Sequence, residues 1–455
     1  MGLNPEMFRA YDIRGIAPEE LNSETAKPIG VAFGNLIDAD TVVVSRDHRI
    51  SGISITEGLV SGLLEAGKNV VDIGQNSTPV FYFAICRYGY GAGCQVTASH
   101  NPKEYNGIKL QLKDALPVDW ETGMQELKDK VVNNEFKAAK SLGKRLKFDK
   151  NIEEDYSRFL LEHCKLSRKL KIVIDTGNGV VSKLPEKILS LKGCDVKTIF
   201  SEPDDSFPNH IADPHKHETL KSLQAEVVQS GADLGLAFDG DGDRLGVVDS
   251  RGRVLSDDKL LMMLSRKALA EKSGDVVYDI RVSKAVIEDA RKNNGRVLMS
   301  RAGHSYVLRK LMQNDGVFGG ELSGHLYYPL ENYPYDDGIF TAMKVAEIAS
   351  EKDIGEYVDS MPSYYATPEI VIEDTEKTKF EKVEKLKELL QAKGFEVTTI
   401  DGARVELENA WGLVRASNTG PHIKCRFEGL TQKDLDDVLA KVKPVMNEAG
   451  IDSQI

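Results

Sequence analysis

Short apolar runs alternate with longer amphipathic stretches along most of the chain. The short runs are rich in Val and Ile and have the length of buried strands, whereas the longer stretches repeat apolar residues at helical spacing. This alternation is typical of α/β layers, in which helices cover a sheet. The pattern predicts a helix over 54–66 and strands over 41–45, 69–73, 94–98, 171–175, 234–238, 245–249, 276–280, 297–300 and 317–319.

The chain of 455 residues is too long for one hydrophobic core. A charged stretch over 137–155 and a segment with two prolines over 362–368 indicate connections between domains. Beyond the second connection the pattern predicts helices over 376–393 and 432–449 and strands over 370–372, 397–400, 412–415 and 423–427. We therefore predict three similar mixed α/β domains and a smaller α+β C-terminal domain, with bounds at 1–148, 149–250, 251–362 and 363–455.

Charge and cysteine usage narrow the class of protein. The net charge is −12, from 59 basic and 71 acidic residues, which disfavours nucleic acid as a partner. No apolar run approaches the roughly 18 residues of a membrane span, and the N-terminus lacks the pattern of a secretory signal, so we expect no membrane partner. The five scattered cysteines favour a reducing compartment, the cytoplasm, over a disulfide framework. The sequence predicts no particular oligomeric state.

An acidic loop is the first segment with chemistry of its own. Asp239, Asp241 and Asp243 alternate with glycines, which lets a tight turn aim three carboxylates at one point. Such a set suits one hard divalent cation such as Mg²⁺. An EF-hand is excluded because its sixth and twelfth positions would be Arg244 and Ser250 instead of Gly and Glu. A solvated acidic turn is the alternative, and like-charge repulsion argues against it.

The segment TASHNP, residues 97–102, is the second segment with chemistry of its own, because it contains a serine on a turn. A hydroxyl that can carry a phosphoryl group, together with a metal that offsets its charge, points to phosphoryl transfer through Ser99. An ordinary turn and a Ser–His–Asp hydrolase are the alternatives. We expect adjacent Ser99 and His100 not to form the serine–imidazole hydrogen bond of a triad easily, and the G-x-S-x-G elbow is absent.

Three further segments have the composition of ligand-binding loops. In GGELSGH, residues 319–325, Glu321 and Ser323 would face one way if the segment were extended, as binding two neighbouring sugar hydroxyls requires. In RASNTGP, residues 415–421, a guanidinium, two hydroxyls and an amide can bind a phosphate. The segment FRAYDIRG, residues 8–15, offers two arginines. A glycine-rich turn, a polar hairpin turn and a solvated face are the respective alternatives.

Read in order, FRAYDIRG, TASHNP, DGDGDR, GGELSGH and RASNTGP resemble the α-D-phosphohexomutase superfamily, most closely its phosphomannomutase/phosphoglucomutase branch. The resemblance spans essentially the whole chain and includes the flanking stretches LGLAFDGDGDR and WGLVRASNT. It implies four domains around a central cleft, three of them alike, with one loop from each domain in the cleft. This division is similar to the one predicted from the pattern.

The resemblance also implies roles for individual residues. Ser99 would be phosphorylated, and would hold one Mg²⁺ together with Asp239, Asp241 and Asp243. Glu321 and Ser323 would bind the sugar O3 and O4 hydroxyls. The phosphate that is not transferred would be bound by Arg415, Ser417, Asn418 and Thr419. The reacting phosphoryl group or the sugar would be surrounded by Tyr11, Arg14, His100, Lys109, Arg244, His304 and His325. Either Lys109 or His100 would shuttle the proton of the sugar hydroxyl.

The implied reaction consists of two phosphoryl transfers. Phospho-Ser99 gives its group to a hexose monophosphate, the resulting hexose 1,6-bisphosphate turns around, and its other phosphate returns to Ser99; the bisphosphate is also the activator. Glucose and mannose differ at C2, so a site that reads O3 and O4 accepts both. The segment 362–368 is the predicted hinge of the fourth domain. A phosphoglucosamine mutase, a phosphosugar-binding protein without turnover and a phosphatase remain as alternatives.

Two positions depart from the pattern of this family. Gly420 stands before the proline of the phosphate segment, where many relatives have Glu, and Arg281 stands where a lysine is frequent. The other polar residues of the phosphate segment are present, so we expect phosphate binding to survive. A planar guanidinium is not equivalent to an ammonium, which makes Arg281 a secondary candidate for substrate binding.

Overall fold

The computed structural model describes residues 3–329, 333–417 and 420–452. The strands are β1 (Ile13–Ile16), β2 (Thr41–Arg46), β3 (Asn69–Gln75), β4 (Ala92–Val96), β5 (Tyr105–Leu112), β6 (Arg145–Leu146), β7 (Lys171–Asp175), β8 (Asp195–Ile199), β9 (Leu234–Phe238), β10 (Leu245–Asp249), β11 (Asp275–Asp279), β12 (Arg296–Ser300), β13 (Phe318–Gly320), β14 (Leu326–Tyr327), β15 (Tyr365–Ala366), β16 (Ile370–Glu373), β17 (Glu396–Thr398), β18 (Ala403–Glu406), β19 (Ala410–Ala416) and β20 (His422–Gly429). The helices are α1 (Ser23–Leu36), α2 (Ser51–Glu65), α3 (Thr78–Tyr88), α4 (Met124–Val132), α5 (Ile152–His163), α6 (Leu184–Leu191), α7 (Lys221–Ser230), α8 (Asp257–Glu271), α9 (Lys284–Lys292), α10 (His304–Gln313), α11 (Gly338–Glu351), α12 (Ile354–Asp359), α13 (Thr378–Ala392) and α14 (Gln432–Glu448).

The chain divides into two compact units. Unit 1 contains residues 1–256 and 323–359, and unit 2 contains residues 257–322 and 360–455. The predicted fold class is confirmed, because three mixed α/β domains precede a smaller C-terminal one. The predicted domain bounds stay a prediction.

The first sheet of unit 1 runs in the order β1-β5-β4-β2-β3-β6. Its Val-rich centre is parallel, whereas β5 runs antiparallel to β1 and β4. Helices α1 and α2 pack closely against each other. Helix α1 begins at a capping box, in which Asn22 accepts the Thr25 amide and Thr25 accepts the Asn22 amide. This sheet carries the serine segment at the end of β4.

The second sheet of unit 1 runs in the order β10-β9-β7-β8. Strands β9 and β10 are antiparallel and are joined by residues 239–244, so the prediction that the acidic loop connects two strands is confirmed. Both strands are buried along their whole length, which explains their unbroken apolar sequence. Helix α11 packs against these two strands and is buried on all sides through Ser350.

Unit 2 contains a parallel arrangement of β12, β11 and β13 and an antiparallel sheet in the order β15-β20-β19-β18-β17, with β16 also paired to β20. Helices α13 and α14 pack against the antiparallel sheet. Helix α14 begins at a capping box between Thr431 and Asp434. The sheet and its helices share an apolar core that includes Leu386, Phe427 and Met446.

Several predicted bounds differ from the structure. The strand predicted over 94–98 is Ala92–Val96, because the chain already turns at Thr97. Part of the predicted connection over 137–155 belongs to α5, which Asn151 caps by accepting the Glu154 amide. The predicted linker over 362–368 contains β15, which pairs with β20, so this part of the segment belongs to the sheet.

Two observations concern the chain as a whole. In the ranges 3–329, 333–417 and 420–452, no helix is both long and apolar enough to cross a membrane. The five cysteines carry free thiols, and four of them are buried.

Candidate active site

Ser99 lies in the loop between β4 and β5 and is 2% exposed. Its backbone has φ +50°, in the left-handed region that is costly for a residue with a side chain. The Ser99 amide donates to Thr97 Oγ1 at 3.0 Å, and the Ser99 hydroxyl donates to Asp239 Oδ2 at 2.6 Å. The serine and the acidic loop predicted from sequence are therefore in direct contact.

The expectation that Ser99 and His100 do not share a hydrogen bond was wrong. Ser99 Oγ lies 3.0 Å from His100 Nδ1, at a residue whose backbone is left-handed. The arrangement still differs from a hydrolase triad, since the serine proton is directed at Asp239. Burial, with the nearby Arg244 and Arg14, lowers the pKa of His100 well below its usual value.

The acidic loop presents three buried carboxylates at one point. Asp239, Asp241 and Asp243 each offer an oxygen, and these oxygens lie within 4.8 Å of one another. Gly240 allows close approach to the serine loop, because a Cβ there would lie 2.4 Å from the Ser99 carbonyl oxygen. Gly242 supplies the positive φ of +82° that completes the turn.

Neighbouring side chains hold two of these carboxylates in place. Lys109 Nζ donates to Asp241 Oδ2 at 2.9 Å and to Asp243 Oδ2 at 2.5 Å. The Thr78 and Thr97 hydroxyls donate to Asp241 Oδ2 at 2.7 and 3.2 Å. The ammonium and the two hydroxyls therefore fix one side of the carboxylate cluster.

The pKa values reflect this crowding. Burial and repulsion from Asp243 and Asp241 raise the pKa of the Asp239 carboxyl well above its usual value. Burial also disfavours ionisation of Asp241 and Asp243, but the Lys109 ammonium lowers the pKa of both carboxyls. Burial disfavours the charged form of Lys109 in turn, and the two carboxylates raise the pKa of the ammonium well above its usual value.

The cluster has the donors that a hard divalent cation needs. Asp241 Oδ1 and Asp243 Oδ1 are buried, and neither has a hydrogen-bond partner among the described residues. Buried carboxylate oxygens without partners are costly, and a bound cation would satisfy both. The chemistry of the set, three carboxylates next to a serine hydroxyl, fits Mg²⁺.

Arg244 is oriented by a second cluster in unit 1. Its Nε donates to His325 Nε2 at 3.1 Å, and His325 Nδ1 lies 2.6 Å from Asp336 Oδ2. This pair of contacts assigns the proton of the imidazole to Nδ1, which donates to Asp336. Burial and Arg244 lower the pKa of His325 well below its usual value. Both predicted residues, Arg244 and His325, therefore lie beside Asp243.

Arg14 reaches the serine loop from β1. Its NH1 donates to the Ala98 carbonyl at 2.7 Å and to Asn101 Oδ1 at 2.8 Å, and its Nε forms an ion pair with Asp12 at 2.8 Å. Tyr11 is half-buried in the bend that precedes β1, and its role stays a prediction. In unit 1 the structure thus brings together five predicted catalytic residues: Arg14, Ser99, His100, Lys109 and Arg244.

The predicted sugar segment follows β13. Glu321 is buried in unit 2 and accepts the Gly303 amide at 3.0 Å, directly before His304 at the start of α10. Arg281 lies 3.6 Å from Glu321 Oε2 and is held by two hydrogen bonds to Asp279. Glu321 therefore contacts both Arg281 and the backbone that leads into α10.

The extended conformation assumed for Glu321 and Ser323 is not present. The chain leaves β13 at Gly320 and turns through residues 322–324, so the two side chains do not share the face of a strand. Ser323 is half-buried and belongs to unit 1, whereas Glu321 belongs to unit 2. Glycine at 324, with φ +81°, makes this turn possible.

The predicted phosphate segment follows β19 in unit 2. Arg415 is buried and forms an ion pair with Asp401 at 3.0 Å, and the Ser417 amide donates to the His422 carbonyl at 2.9 Å. Asn418 and Thr419 lie outside the described residues. Lys379 Nζ donates to the carbonyls on both sides of them, Ser417 O at 2.8 Å and Gly420 O at 2.9 Å.

The departure at position 420 has a structural counterpart. A Cβ on Gly420 would lie 2.4 Å from His422 Nε2, so the imidazole fills the space that a longer residue would need.

Sequence reasoning missed the residues that orient the site. Thr78, Thr97 and Asp336 each bond to a predicted catalytic or metal-binding residue or its partner, but Thr and Asp are common in turns and helix starts. The position of Thr97 within TASHNP was an available signal. The Asp pair 336–337 before α11 was another, since Asp337 caps that helix by accepting the Phe340 amide.

The chain is similar to known proteins over nearly its whole length. Family models for phosphoglucomutase/phosphomannomutase match four stretches: alpha/beta/alpha domain I over residues 5–138, domain II over 153–252, domain III over 256–365, and the C-terminal domain over 369–445. A phosphomannomutase/phosphoglucomutase of Pseudomonas syringae pv. tomato is 38% identical over 95% of this chain and 93% of its own length. A phosphoglucomutase of Neisseria gonorrhoeae is 35% identical over 97% and 96%.

A solved structure agrees with these matches. The crystal structure of a phosphoglucomutase/phosphomannomutase family protein from Burkholderia thailandensis superposes with a TM-score of 0.91 at 33% identity, covering 98% of each chain. Three observations lead to one conclusion: four domains match the family models, relatives are 35% and 38% identical over nearly the whole chain, and the serine and the aspartates cluster. The chain belongs to the phosphoglucomutase/phosphomannomutase family.

Proposed function

We propose that this protein is a phosphohexomutase that interconverts hexose 1-phosphates and hexose 6-phosphates through phospho-Ser99. The observation that carries this proposal is the 2.6 Å hydrogen bond from the Ser99 hydroxyl to Asp239, one of three buried carboxylates. As a member of its family the protein is an isomerase. The sugars named for its Pseudomonas and Neisseria relatives, mannose and glucose phosphates, are the substrates we propose.

In the first transfer, the bond between Ser99 Oγ and phosphorus breaks while a sugar hydroxyl oxygen bonds to the same phosphorus. The hydroxyl proton leaves to a base of the protein, and Ser99 Oγ regains a proton. The product is a hexose 1,6-bisphosphate. In the second transfer, Ser99 Oγ gives up its proton to a base of the protein and attacks the other phosphorus, and the sugar oxygen that leaves takes up a proton. The net result is an isomer of the starting phosphate with Ser99 phosphorylated again.

Cations in unit 1 offset the charge on the transferred group. Asp239, Asp241 and Asp243 would hold one Mg²⁺, which acts as a Lewis acid on the phosphoryl oxygens when bound. Arg14, which bonds to the serine loop, and Arg244, at the end of the acidic loop, add positive charge held in place by hydrogen bonds. Most of the catalysis in phosphoryl transfer is positioning and charge stabilisation of this kind.

The proton shuttle has two candidates with different contacts. Lys109 donates to Asp241 and Asp243, so its ammonium is committed to the carboxylate cluster. His100 contacts Ser99 Oγ, the atom that loses and regains the phosphoryl group. We propose that Lys109 organises the carboxylates and that either Lys109 or His100 shuttles the proton of the sugar hydroxyl, which variants of both residues test.

Glu321 supports recognition of the sugar. It is buried in unit 2, close to Arg281 and to His304 at the start of α10. A carboxylate that reads O3 or O4 has no contact with C2, where glucose and mannose differ, so we propose that both are substrates. Arg415 and Ser417, with Asn418 and Thr419, are proposed to bind the phosphate that is not transferred. The free thiols fit our proposal of a reducing compartment, the cytoplasm.

The test is a mutase assay on the purified chain with Mg²⁺ and a trace of glucose 1,6-bisphosphate. Mannose 1-phosphate, glucose 1-phosphate and glucosamine 1-phosphate are supplied separately, and each 6-phosphate is measured together with released inorganic phosphate. We expect comparable turnover of the first two, little of the third and almost no inorganic phosphate. A preference for glucosamine 1-phosphate would overturn the substrate proposal, and stoichiometric inorganic phosphate would indicate a phosphatase.

A further inference from the structure

Arg49 is a buried cation that bonds almost entirely to the backbone of the serine loop. Its side chain is 1% exposed in the first sheet domain of unit 1. Its NH2 donates to the carbonyls of Ser99 at 3.1 Å and Asn101 at 2.7 Å, and its NH1 donates to the carbonyls of Pro102 at 2.9 Å and Tyr105 at 3.0 Å. Four of the five N–H groups of one guanidinium therefore bind residues 99–105, which comprise the serine loop and the first residue of β5.

The remaining contacts of Arg49 fix the guanidinium itself. Its Nε lies 3.3 Å from Asp47 Oδ2, and Asp47 Oδ1 accepts the Arg49 amide at 2.9 Å. The guanidinium carbon lies over the Phe207 ring, 5.1 Å from its centre. A planar fork with a carboxylate at its base and a ring against its face has little freedom to move.

The loop that Arg49 holds is strained at the reacting residue. Ser99 has φ +50°, and such backbone persists only where the surroundings over-determine it. Arg49 binds the Ser99 carbonyl, the next atom group after that strained φ. The same carbonyl faces Gly240 of the acidic loop, where a Cβ would lie 2.4 Å from the carbonyl oxygen.

We propose that Arg49 is the positioning residue that sets Ser99 Oγ toward the carboxylate cluster for phosphoryl transfer; this rests on the proposed phosphoserine function. Arg49 does not act on the substrate, because its side chain is buried, its NH1 and NH2 groups are bound to carbonyls and its Nε faces Asp47. Its role differs from that of Arg14, which is partly exposed and contacts the loop through only one carbonyl and one side chain.

The experiment measures phosphorylation of Ser99 directly. The wild-type chain and Arg49→Lys are mixed with Mg²⁺ and glucose 1,6-bisphosphate, and the gain of one phosphoryl group is followed by intact-protein mass over time. Lysine keeps the charge but replaces the fork by a single point of donation, so it cannot bind four carbonyls in one plane. We expect phosphorylation slower by on the order of 100-fold, as for a reacting atom misplaced by about 1 Å, with KM for the sugar phosphate changed little.

Hydrogen exchange supplies a readout that does not depend on activity. The amides of Asn101 and Tyr105 donate within the loop, to the Ala98 and Pro102 carbonyls at 3.0 Å each. In Arg49→Lys without metal or substrate, we expect these amides to exchange faster while the amides of β4, and those of β5 beyond Tyr105, keep their protection. Unchanged exchange together with unchanged phosphorylation would overturn the proposal.

Two further variants separate positioning from general damage. Arg168→Lys is the matched control, because Arg168 also donates to two carbonyls and a carboxylate in unit 1, away from the serine loop. If Arg49→Lys fails to fold, Phe207→Leu decides, since it keeps the guanidinium and removes the ring that packs against it and against His48; unchanged phosphorylation in that variant would sink the proposal. A wild-type chain that gains no phosphate refutes the proposed function, whereas equal rates in wild type and Arg49→Lys refute only this inference.

Discussion

In both the serine loop of unit 1 and the phosphate segment of unit 2, a buried cationic side chain donates hydrogen bonds to backbone carbonyls, but the side chain is an arginine in one and a lysine in the other. Arg49 binds four carbonyls of the serine loop, whereas Lys379 binds two carbonyls of the phosphate segment. A rigid fork suits a loop whose serine must point at one spot. An ammonium on a flexible stem makes fewer bonds and suits a segment that we propose binds a phosphate without reacting with it. The two segments therefore differ in how firmly a buried cation fixes their backbone.

Removing the reacting hydroxyl should have the largest effect. Ser99→Ala leaves no oxygen to carry the phosphoryl group, so we expect loss of nearly all mutase turnover with an unchanged unfolding temperature. Steady-state kinetics and thermal unfolding measure the two quantities. Ser54→Ala, on the exposed face of α2, is the control. Retained mutase activity in Ser99→Ala would rule out the phosphoserine mechanism.

Substitutions in the carboxylate cluster beside the serine loop should change the Mg²⁺ requirement of turnover, whereas substitutions in the phosphate segment should not. Asp243→Asn removes one ligand charge, so we expect the Mg²⁺ concentration for half-maximal turnover to rise by at least about tenfold. A titration with Mg²⁺ after chelation measures this shift. The matched variant Arg415→Ala should leave the Mg²⁺ requirement of the enzyme unchanged, and an equal shift in both variants would contradict the division of roles.

Arg415 should affect binding more than turnover. Loss of charge-assisted hydrogen bonds of about 1.5–3 kcal/mol corresponds to a KM for hexose phosphate about 10- to 100-fold higher, with kcat changed little. Initial rates over a range of substrate concentrations separate KM from kcat. Asp401→Asn controls for the broken ion pair. A fall in kcat without a rise in KM would place Arg415 in the chemical step.

Lys379 should show the smallest change, because it acts on the phosphate through the loop. Lys379→Met removes two hydrogen bonds to carbonyls, and we expect KM to rise about fivefold, the equivalent of about 1 kcal/mol. Lys382→Met, on the same helix and paired with Asp374, is the control. If Lys379→Met instead lowered kcat as Arg49→Lys is expected to, the contrast between the two loops would disappear.

The strands around the acidic loop were predictable because their apolar runs are unbroken. Strands β9 and β10 lie at the predicted residues, and the alternation of Asp and Gly between them does converge on one point. Elements at domain connections, such as β15, were missed because a two-residue strand depends on its partner more than on its own sequence.

The site was predictable only where side chains carry the chemistry. The hydrogen bond between Ser99 and His100 occurs where Ser99 has a positive φ, and a sequence does not indicate a positive φ at a residue other than glycine. Arg49 escaped notice for a related reason, because its acceptors are carbonyls, which every residue has. Asp336 is identified by its contact with His325, and only the fold brings the two together.

Gly240 fixes the position of the serine loop relative to the acidic loop. Only a hydrogen atom fits between its Cα and the Ser99 carbonyl, so neither loop can shift toward the other, and a shift away would break the bond from Ser99 to Asp239. The position of Ser99 relative to the carboxylate cluster is therefore set by a backbone distance that no side chain can adjust. A redesign of the residues that we propose to bind the sugar in unit 2 leaves this spacing as it is.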